Sequence, residues 1–352
     1  FHQNIPIGVD LLFTCENRKG FTFGVEICED VWSINPKSND LSIGGANVIF
    51  NLSASNETIG KYEYRKNLIK MQSAKTMTGY VYVSAGVNES TTDLLFSGSS
   101  MIYENGTLLS ENERFDFKSN LIYNDIDVSK LNNDRIKNTS FQLDKSKDYR
   151  KISFQVEENP ILDRTYTKTP FVPSNPLKRK ERCEEIIHIQ SCALAKRLKH
   201  TNIKKCILGI SGGLDSTLAF LIIVEAYKKL GIANENIMAI TMPGFGTTNR
   251  TYKNAVALVK KYGATLKEVD IKKSCIQHFK DIEHDIENHN ITYENGQARE
   301  RTQILMDIAN QENGLVIGTG DLSELALGWC TYNGDQMSMY AVNTSIPKTL
   351  VK

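Results

Sequence analysis

The sequence predicts an α/β protein built from two domains. Three observations lead there. A first stretch consists of short β-rich runs broken by turn residues around one long helical segment. A second stretch alternates strands with helices. The length is 352 residues, against a usual domain size of about 150. Strand–helix alternation implies a parallel, doubly wound sheet, whose ligands bind at the carboxyl ends of the strands.

Taken in order, FTFGVEIC (21–28), ANVIFNLS (46–53), YVYVSAGV (80–87) and SSMIYENGTLL (99–109) read as strands, rich in β-branched and aromatic residues and bounded by Gly, Asn and Ser. Asn105–Gly106 inside the last run is a hairpin signal. KYEYRKNLIKMQSAKTMTG (61–79) reads as a helix between two of them. Residues 1–127 form this first domain. Residues 128–180 turn polar, charged and weakly periodic, with PFVPSNP at 170–176, and read as the interdomain connection. From 181 to 352 the pattern runs through the helix RCEEIIHIQSCALAKRLKH, the strand KCILGI, a helix stopped by Gly231, the strand NIMAITM and a helix stopped by Gly263. It continues with the strand TLKEVDI, the helix ARERTQILMDIANQENG, the strand LVIGTGD and the helix start LSELALG.

Composition narrows the function classes. Forty-two basic against 41 acidic residues give a net charge of +1, which offers no footprint for nucleic acid or an acidic membrane surface. No apolar run reaches the ~18 residues that span a bilayer, and no signal peptide is read. The seven cysteines are odd in number and scattered, which argues against a disulfide framework and for a reducing cytoplasm. The chain opens at Phe1 within a strand pattern (IPIGVDLLF) and stops just after a motif. It therefore reads as a piece of a longer polypeptide.

The chemistry concentrates in Ser211-Gly212-Gly213-Leu214-Asp215-Ser216-Thr217, which follows a strand and opens a helix. Two glycines allow a sharp turn and close approach of backbone to a ligand. Hydroxyls and the free N–H groups of the helix start suit a pyrophosphate. Asp215 becomes intelligible there as a magnesium ligand. No lysine precedes the hydroxyl pair, so this is not a Walker loop. It resembles instead the loop of the N-type ATP pyrophosphatases, which cleave ATP between the α and β phosphates and leave AMP on a carboxylate. Ser211, Gly212, Gly213, Asp215 and Ser216 are then the ATP-binding residues. Met242, in the turn 241–246 after the second strand, falls at the adenine and ribose edge.

That loop is common to several enzymes, and the run GTGDLSELALGW (318–329) within QARERTQILMDIAN…SIPKTLVK separates them. It closely resembles the NAD+ synthetases of the large glutamine-dependent type. Gly318-Thr319-Gly320 is no dinucleotide fingerprint, because Ser323 stands where the third glycine is needed. The resemblance implies ATP and Mg2+ as cofactors and deamido-NAD+ as substrate. It makes Glu324 a second magnesium ligand, gives Thr319 and Lys348 to ATP, and gives Arg299, Trp329 and Asp335 to deamido-NAD+. Arg299 and Arg301 lie two apart on a helix and face different ways.

Val25-Glu26-Ile27-Cys28-Glu29-Asp30-Val31-Trp32 and the segment NLSAS (51–55) resemble the nitrilase superfamily, in which a cysteine at a strand end attacks an amide. Cys28 is then the nucleophile that releases ammonia from glutamine, with Glu29, Trp32, Ser55 and Lys61 around the substrate. The implied fold is the C-terminal part of a nitrilase-like α-β-β-α sandwich followed by an adenine nucleotide α-hydrolase-like domain. The implied assembly is a homo-oligomer. The glutamate base and catalytic lysine are expected upstream of the nucleophile strand; Glu16 and Lys19 sit in the turn before it and are not promoted, so no glutaminase activity is expected from residues 1–352 alone. Three rivals remain: another amidotransferase with the same loop, a nitrilase-type amidase with a regulatory ATP domain, and a non-catalytic fragment. Cys183, His188 and Cys192 share a helix without sharing a face, so a zinc site there is rejected. His278, His284 and His289 read as solvated surface, in a stretch that could form a flap.

Overall fold

A computed structural model describes residues 7–144, 147–157, 164–246 and 249–352. By internal contacts the chain divides into two units, Phe1–Thr165 and Tyr166–Lys352. Residues 5–6 of the opening strand pattern lie outside the described residues.

In the first unit the elements run β1 (Leu11–Cys15), β2 (Thr22–Ile27), α1 (Lys37–Ile43), β3 (Val48–Ser53), α2 (Lys61–Thr76), β4 (Gly79–Ser84), β5 (Ser100–Glu104), β6 (Thr107–Glu111), α3 (Val128–Lys137) and β7 (Arg150–Phe154). They form one seven-stranded sheet of order β6-β5-β4-β3-β2-β1-β7. The central strands β2, β3 and β4 are parallel, with Glu26 opposite Asn51 and Asn51 opposite Tyr82. The hairpin turns as expected at Asn105 and Gly106, with φ of 44° and 77°. Side chains alternate across the pleat. On one face Ile49, Tyr80, Tyr82, Met101 and Tyr103 are sealed in a core with Leu41 and Ile69 of α1 and α2. The other face carries an aromatic row in which Phe13 stacks on Phe23 and Phe50 and Phe154 meet Phe23 edge-on.

The stretch 128–180, expected as the interdomain connection, holds α3 and β7 and the start of a further helix from Pro176. α3 is capped by Asp127, whose side chain accepts from Lys130 N at 2.9 Å. It plants Leu131 and Arg135 in the first unit, where Arg135 donates to the carbonyls of Met77, Thr76 and Ala46. β7 adds itself in parallel to the edge strand β1. A short strand paired with a partner 139 positions away leaves no periodic signature in its own residues.

The second unit contains α4 (Pro176–Thr201), β8 (Lys205–Gly209), α5 (Leu214–Leu230), β9 (Ile237–Thr241), α6 (Asn249–Lys261), β10 (Thr265–Glu268), α7 (Lys272–Asp281), α8 (Ile291–Glu312), β11 (Gly314–Gly318), α9 (Leu322–Leu327), β12 (Tyr340–Ala341) and α10 (Lys348–Val351). Its sheet is parallel throughout, in the order β10-β9-β8-β11-β12. α4, α5 and α6 cover one face, and α5 is buried nearly all round through Ala219, Phe220, Ile222, Ile223, Ala226 and Tyr227. Ile304, Leu305, Ile308 and Ala309 of α8 cover the other. The expected doubly wound sheet is therefore present. From β8 the chain winds outward through β9 and β10, then returns to place β11 on the other side. The loops after β8 and β11 are neighbours at this reversal, which is where such sheets open a crevice. The stretch read as a solvated flap contains α7, which buries Cys275 and Phe279 against Ile271. Among the described residues, no helix is long and apolar enough to cross a membrane.

Candidate active site

The loop after β8 closes on its own hydroxyls. Ser216 Oγ accepts from Ser211 N at 3.3 Å and donates to Gly213 O at 3.2 Å, and Ser211 Oγ accepts from Gly213 N at 3.2 Å. Gly212 sits at φ +79°, and a Cβ there would strike the backbone carbonyl of Thr251. Asp215, in the first turn of α5, points one carboxylate oxygen at Lys348 Nζ, 2.7 Å away.

The second loop leaves β11 through Thr319 and Gly320 into α9. Asp321 caps that helix by accepting from Glu324 N at 2.9 Å, while Glu324 Oε2 accepts from Asp321 N at 3.2 Å. This reciprocal pair is a capping box, so Glu324 serves its helix with one oxygen. Its other oxygen accepts from Lys348 Nζ at 3.1 Å. Asp321, fully buried, meets the same ammonium at 2.7 Å as an ion pair. Its Oδ2 makes no aligned hydrogen bond, and neither does the buried Asp215 Oδ1. Three carboxylates thus converge on one cation, with ligand atoms all within 4.8 Å of one another. Burial pulls the Lys348 ammonium down, but its close contacts with the three carboxylates outweigh that and hold it above its ordinary value. Burial likewise pushes Asp321 up, and Lys348 with the Glu324 N–H outweighs it, leaving its carboxyl below the usual 3.8.

Asn343 ties the two loops together. Its amide donates to Asp215 O at 3.0 Å and to Thr319 O at 3.1 Å, and Gln190 of α4 donates to Asn343 Oδ1 at 3.1 Å.

Above the loops lies a cavity of about 880 Å³. Of the sequence-predicted residues, Ser211, Gly213, Asp215, Ser216, Met242, Thr319, Glu324 and Asp335 line it. Gly212 and Lys348 support it from the loop and the acid cluster. Arg299 and Trp329 are not brought to its wall: Arg299 Nε donates to Tyr332 O at 3.1 Å on the surface, and Trp329 is 80% exposed. Arg301 faces the cavity instead, donating to Met242 O at 3.3 Å, and burial lowers its pKa. His289, read as surface, is exposed but stacks on Tyr293 at 4.4 Å, and both line the cavity. The other residues missed in the sequence are Asp321, Gln190 and Asn343. Only Asp321 carried a signal, the D-x-x-E spacing with Glu324.

In the first unit Cys28 directly follows β2 and opens a 3-10 turn, Cys28–Trp32. Its φ is +47°. The thiol is half-buried and unbridged. Trp32 stacks on Tyr64 at 5.4 Å, and Lys61 Nζ lies 5.5 Å from the Trp32 ring while donating to Asn56 at 2.8 Å. Trp32 and Lys61 are therefore brought together. Ser55 is buried in the loop before α2, its N–H donating to Ser84 at 3.3 Å, and Glu29 is exposed. Glu16 and Lys19 sit at the far end of β2, roughly 20 Å of strand from Cys28 at about 3.3 Å per residue. Among the described residues, Asp215, Asp321 and Glu324 form the one His/Cys/Asp/Glu group spaced to hold a metal. Cys183, His188 and Cys192 form none.

Residues 186–352 match the NAD synthase family model. Along 99% of its length the chain is 40% identical to the glutamine-dependent NAD(+) synthetase of Mycobacterium leprae, and along 93% it is 30% identical to that of Thermotoga maritima. It spans about half of these relatives, 53% and 55%. A solved glutamine-dependent NAD+ synthetase from Acinetobacter baumannii aligns over 95% of the chain and 55% of its own, at 27% identity and a TM-score of 0.46. The second unit is thus similar to the NAD synthase family over residues 186–352, and nearly the whole chain is similar to the glutamine-dependent NAD+ synthetases.

Proposed function

We propose that this chain carries the machinery for ATP-dependent amidation of deamido-NAD+ to NAD+, with ammonia released from glutamine at Cys28. The observation that carries the reading is the convergence of the hydroxyl-lined loop 211–216 and the acids Asp215 and Glu324 on one large cavity. The loop offers N–H and O–H groups at a helix start to the phosphates of ATP. Met242 and Thr319 bound the nucleotide, and Arg299, Trp329 and Asp335 are assigned to the dinucleotide. The deamido-NAD+ carboxylate attacks the α-phosphorus, pyrophosphate leaves, and ammonia then attacks the acyl carbon of the adenylate and expels AMP. Lys348 steadies charge on the departing pyrophosphate, and the loop positions the reacting groups.

A divalent cation fits this acid cluster, because Asp215 Oδ1 is buried without a hydrogen-bond partner and the three carboxylates share one centre. Asp215 and Glu324 would hold Mg2+, which supplies charge neutralisation to the phosphates. In the first unit Cys28 is the nucleophile toward the glutamine amide, with Glu29, Trp32, Ser55 and Lys61 around the substrate.

The test supplies ATP, ammonium and a series of carboxylates and follows pyrophosphate release and product. NAD+ formation from deamido-NAD+, lost on Asp215→Ala, is the expected result. Equal turnover of an unrelated carboxylate, with none of deamido-NAD+, would overturn the reading.

A further inference from the structure

We propose that Glu26 is a positioning residue for Cys28, acting through Asn51. This inference rests on reading Cys28 as the glutamine nucleophile. Among the described residues of the first unit, the side chains of Glu26, Glu57 and Glu104 are buried completely or nearly so. Glu57 meets Arg65 at 3.0 Å and Glu104 meets Arg164 at 2.7 Å. Such pairing is the usual way to keep a buried carboxylate. Glu26 is 1% exposed and has no ion-pair partner among the described residues. Its neighbours are all neutral donors. The Ser38 N–H donates to it at 2.6 Å, Asn51 Nδ2 at 3.4 Å, and the Tyr80 hydroxyl by a short contact. Burial first, and Glu26 second, drive the Tyr80 phenol well above its ordinary value.

This group lies directly beneath the nucleophile. Cys28 occupies the left-handed region, which is strained for a residue with a Cβ, so the surroundings must hold it there. Asn51 does so from the neighbouring strand. Its amide N donates both to Cys28 O, at 3.4 Å, and to Glu26 Oε1. Its oxygen accepts from Ser53 Oγ at 2.6 Å. Glu26 and Ser53 together set which end of the amide faces the Cys28 carbonyl. A glutamine at position 26 would offer Asn51, Ser38 and Tyr80 one acceptor and two donors in place of two acceptors. Asn51 could then turn its oxygen toward the Cys28 carbonyl and repel it. The bend that projects the thiol from the strand end would lose its tether.

The experiment uses Glu26→Gln and Cys28→Ala in the full polypeptide that carries this chain. It compares glutamine-supported with ammonia-supported NAD+ formation and measures iodoacetamide alkylation of Cys28 by peptide mapping. For Glu26→Gln the expected result is a fall of about tenfold or more in the glutamine-to-ammonia rate ratio, carried by kcat rather than the KM for glutamine, with slower Cys28 alkylation. An unchanged ratio, in a protein where Cys28→Ala abolishes the glutamine-supported rate, overturns the role of Glu26 and leaves the nucleophile in place. A glutamine-supported rate that survives Cys28→Ala overturns the reading beneath it. Equal loss of both rates in Glu26→Gln also overturns the proposal, since support of the fold alone would account for it.

Discussion

At Gly212 the chain turns through φ +79° against the backbone of Thr251. An alanine there adds about 1–2 kcal/mol of backbone strain and a collision with an atom that cannot rotate away. Gly212→Ala is expected to cut ATP-dependent pyrophosphate release by about tenfold or more and to lower the thermal midpoint, both read on the same preparation. At Asp321 the charge can be separated from the cap, because asparagine also caps helices well. The folded-state value of Asp321 is lowered, so its stabilisation is fully present above the ordinary 3.8 and is lost as pH falls through the folded value. Lys348 is 43% exposed, so solvent screening holds the contribution to about 1 kcal/mol. Urea midpoints of the parent and Asp321→Asn should differ at about pH 7 and converge once pH falls below the folded-state value of Asp321. A difference that persists there would refute the charge assignment.

At the scale of elements, α4 holds the site from behind. Gln190 donates to Val342 O at 2.6 Å and to Asn343 Oδ1 at 3.1 Å, and Asn343 bridges the loops after β8 and β11. Gln190→Leu leaves the Val342 carbonyl unpaired, a cost of about 1–3 kcal/mol. It also removes Gln190 Oε1, itself buried without a partner, so the low end of that range is expected. Chemical denaturation reads the stability, and the KM for ATP should rise as Asn343 loosens. An unchanged KM would mean that Asn343 is held by its own bonds to Asp215 and Thr319. The helices show how far local pattern reaches. Long periodic segments such as α2 and α5 were legible, as was the Gly231 stop. α3, α7 and β7 were not, because their anchors are only two buried residues each (Leu131 and Arg135, Cys275 and Phe279) or a strand pairing made far along the chain.

For the molecule as a whole, each unit has a core of its own. Tyr80, Tyr82 and Met101 centre the first, and Phe220, Ile222 and Tyr227 the second. Phe220 is fully buried, and its truncation to alanine should cost about 3–5 kcal/mol. Calorimetry of Phe220→Ala is expected to lower one transition and leave the other in place. A single transition moving as one would show that the two cores unfold together.

The sequence by itself determined the fold class, the Gly-rich loop at a strand–helix junction, the family resemblance and the placing of Cys28 at a strand end. These are local properties: periodicity, turn chemistry and contiguous motifs. Tertiary structure alone decided that Asp321 joins Asp215 and Glu324 around Lys348, that Arg301 rather than Arg299 faces the cavity, and that Glu26 lies under Cys28. Asp215 and Lys348 are 133 positions apart and meet because the sheet reverses between β8 and β11. The two arginines differ because one helix has one face toward the cavity. Strand register sets Glu26 opposite Asn51, and no local pattern encodes a register made between strands.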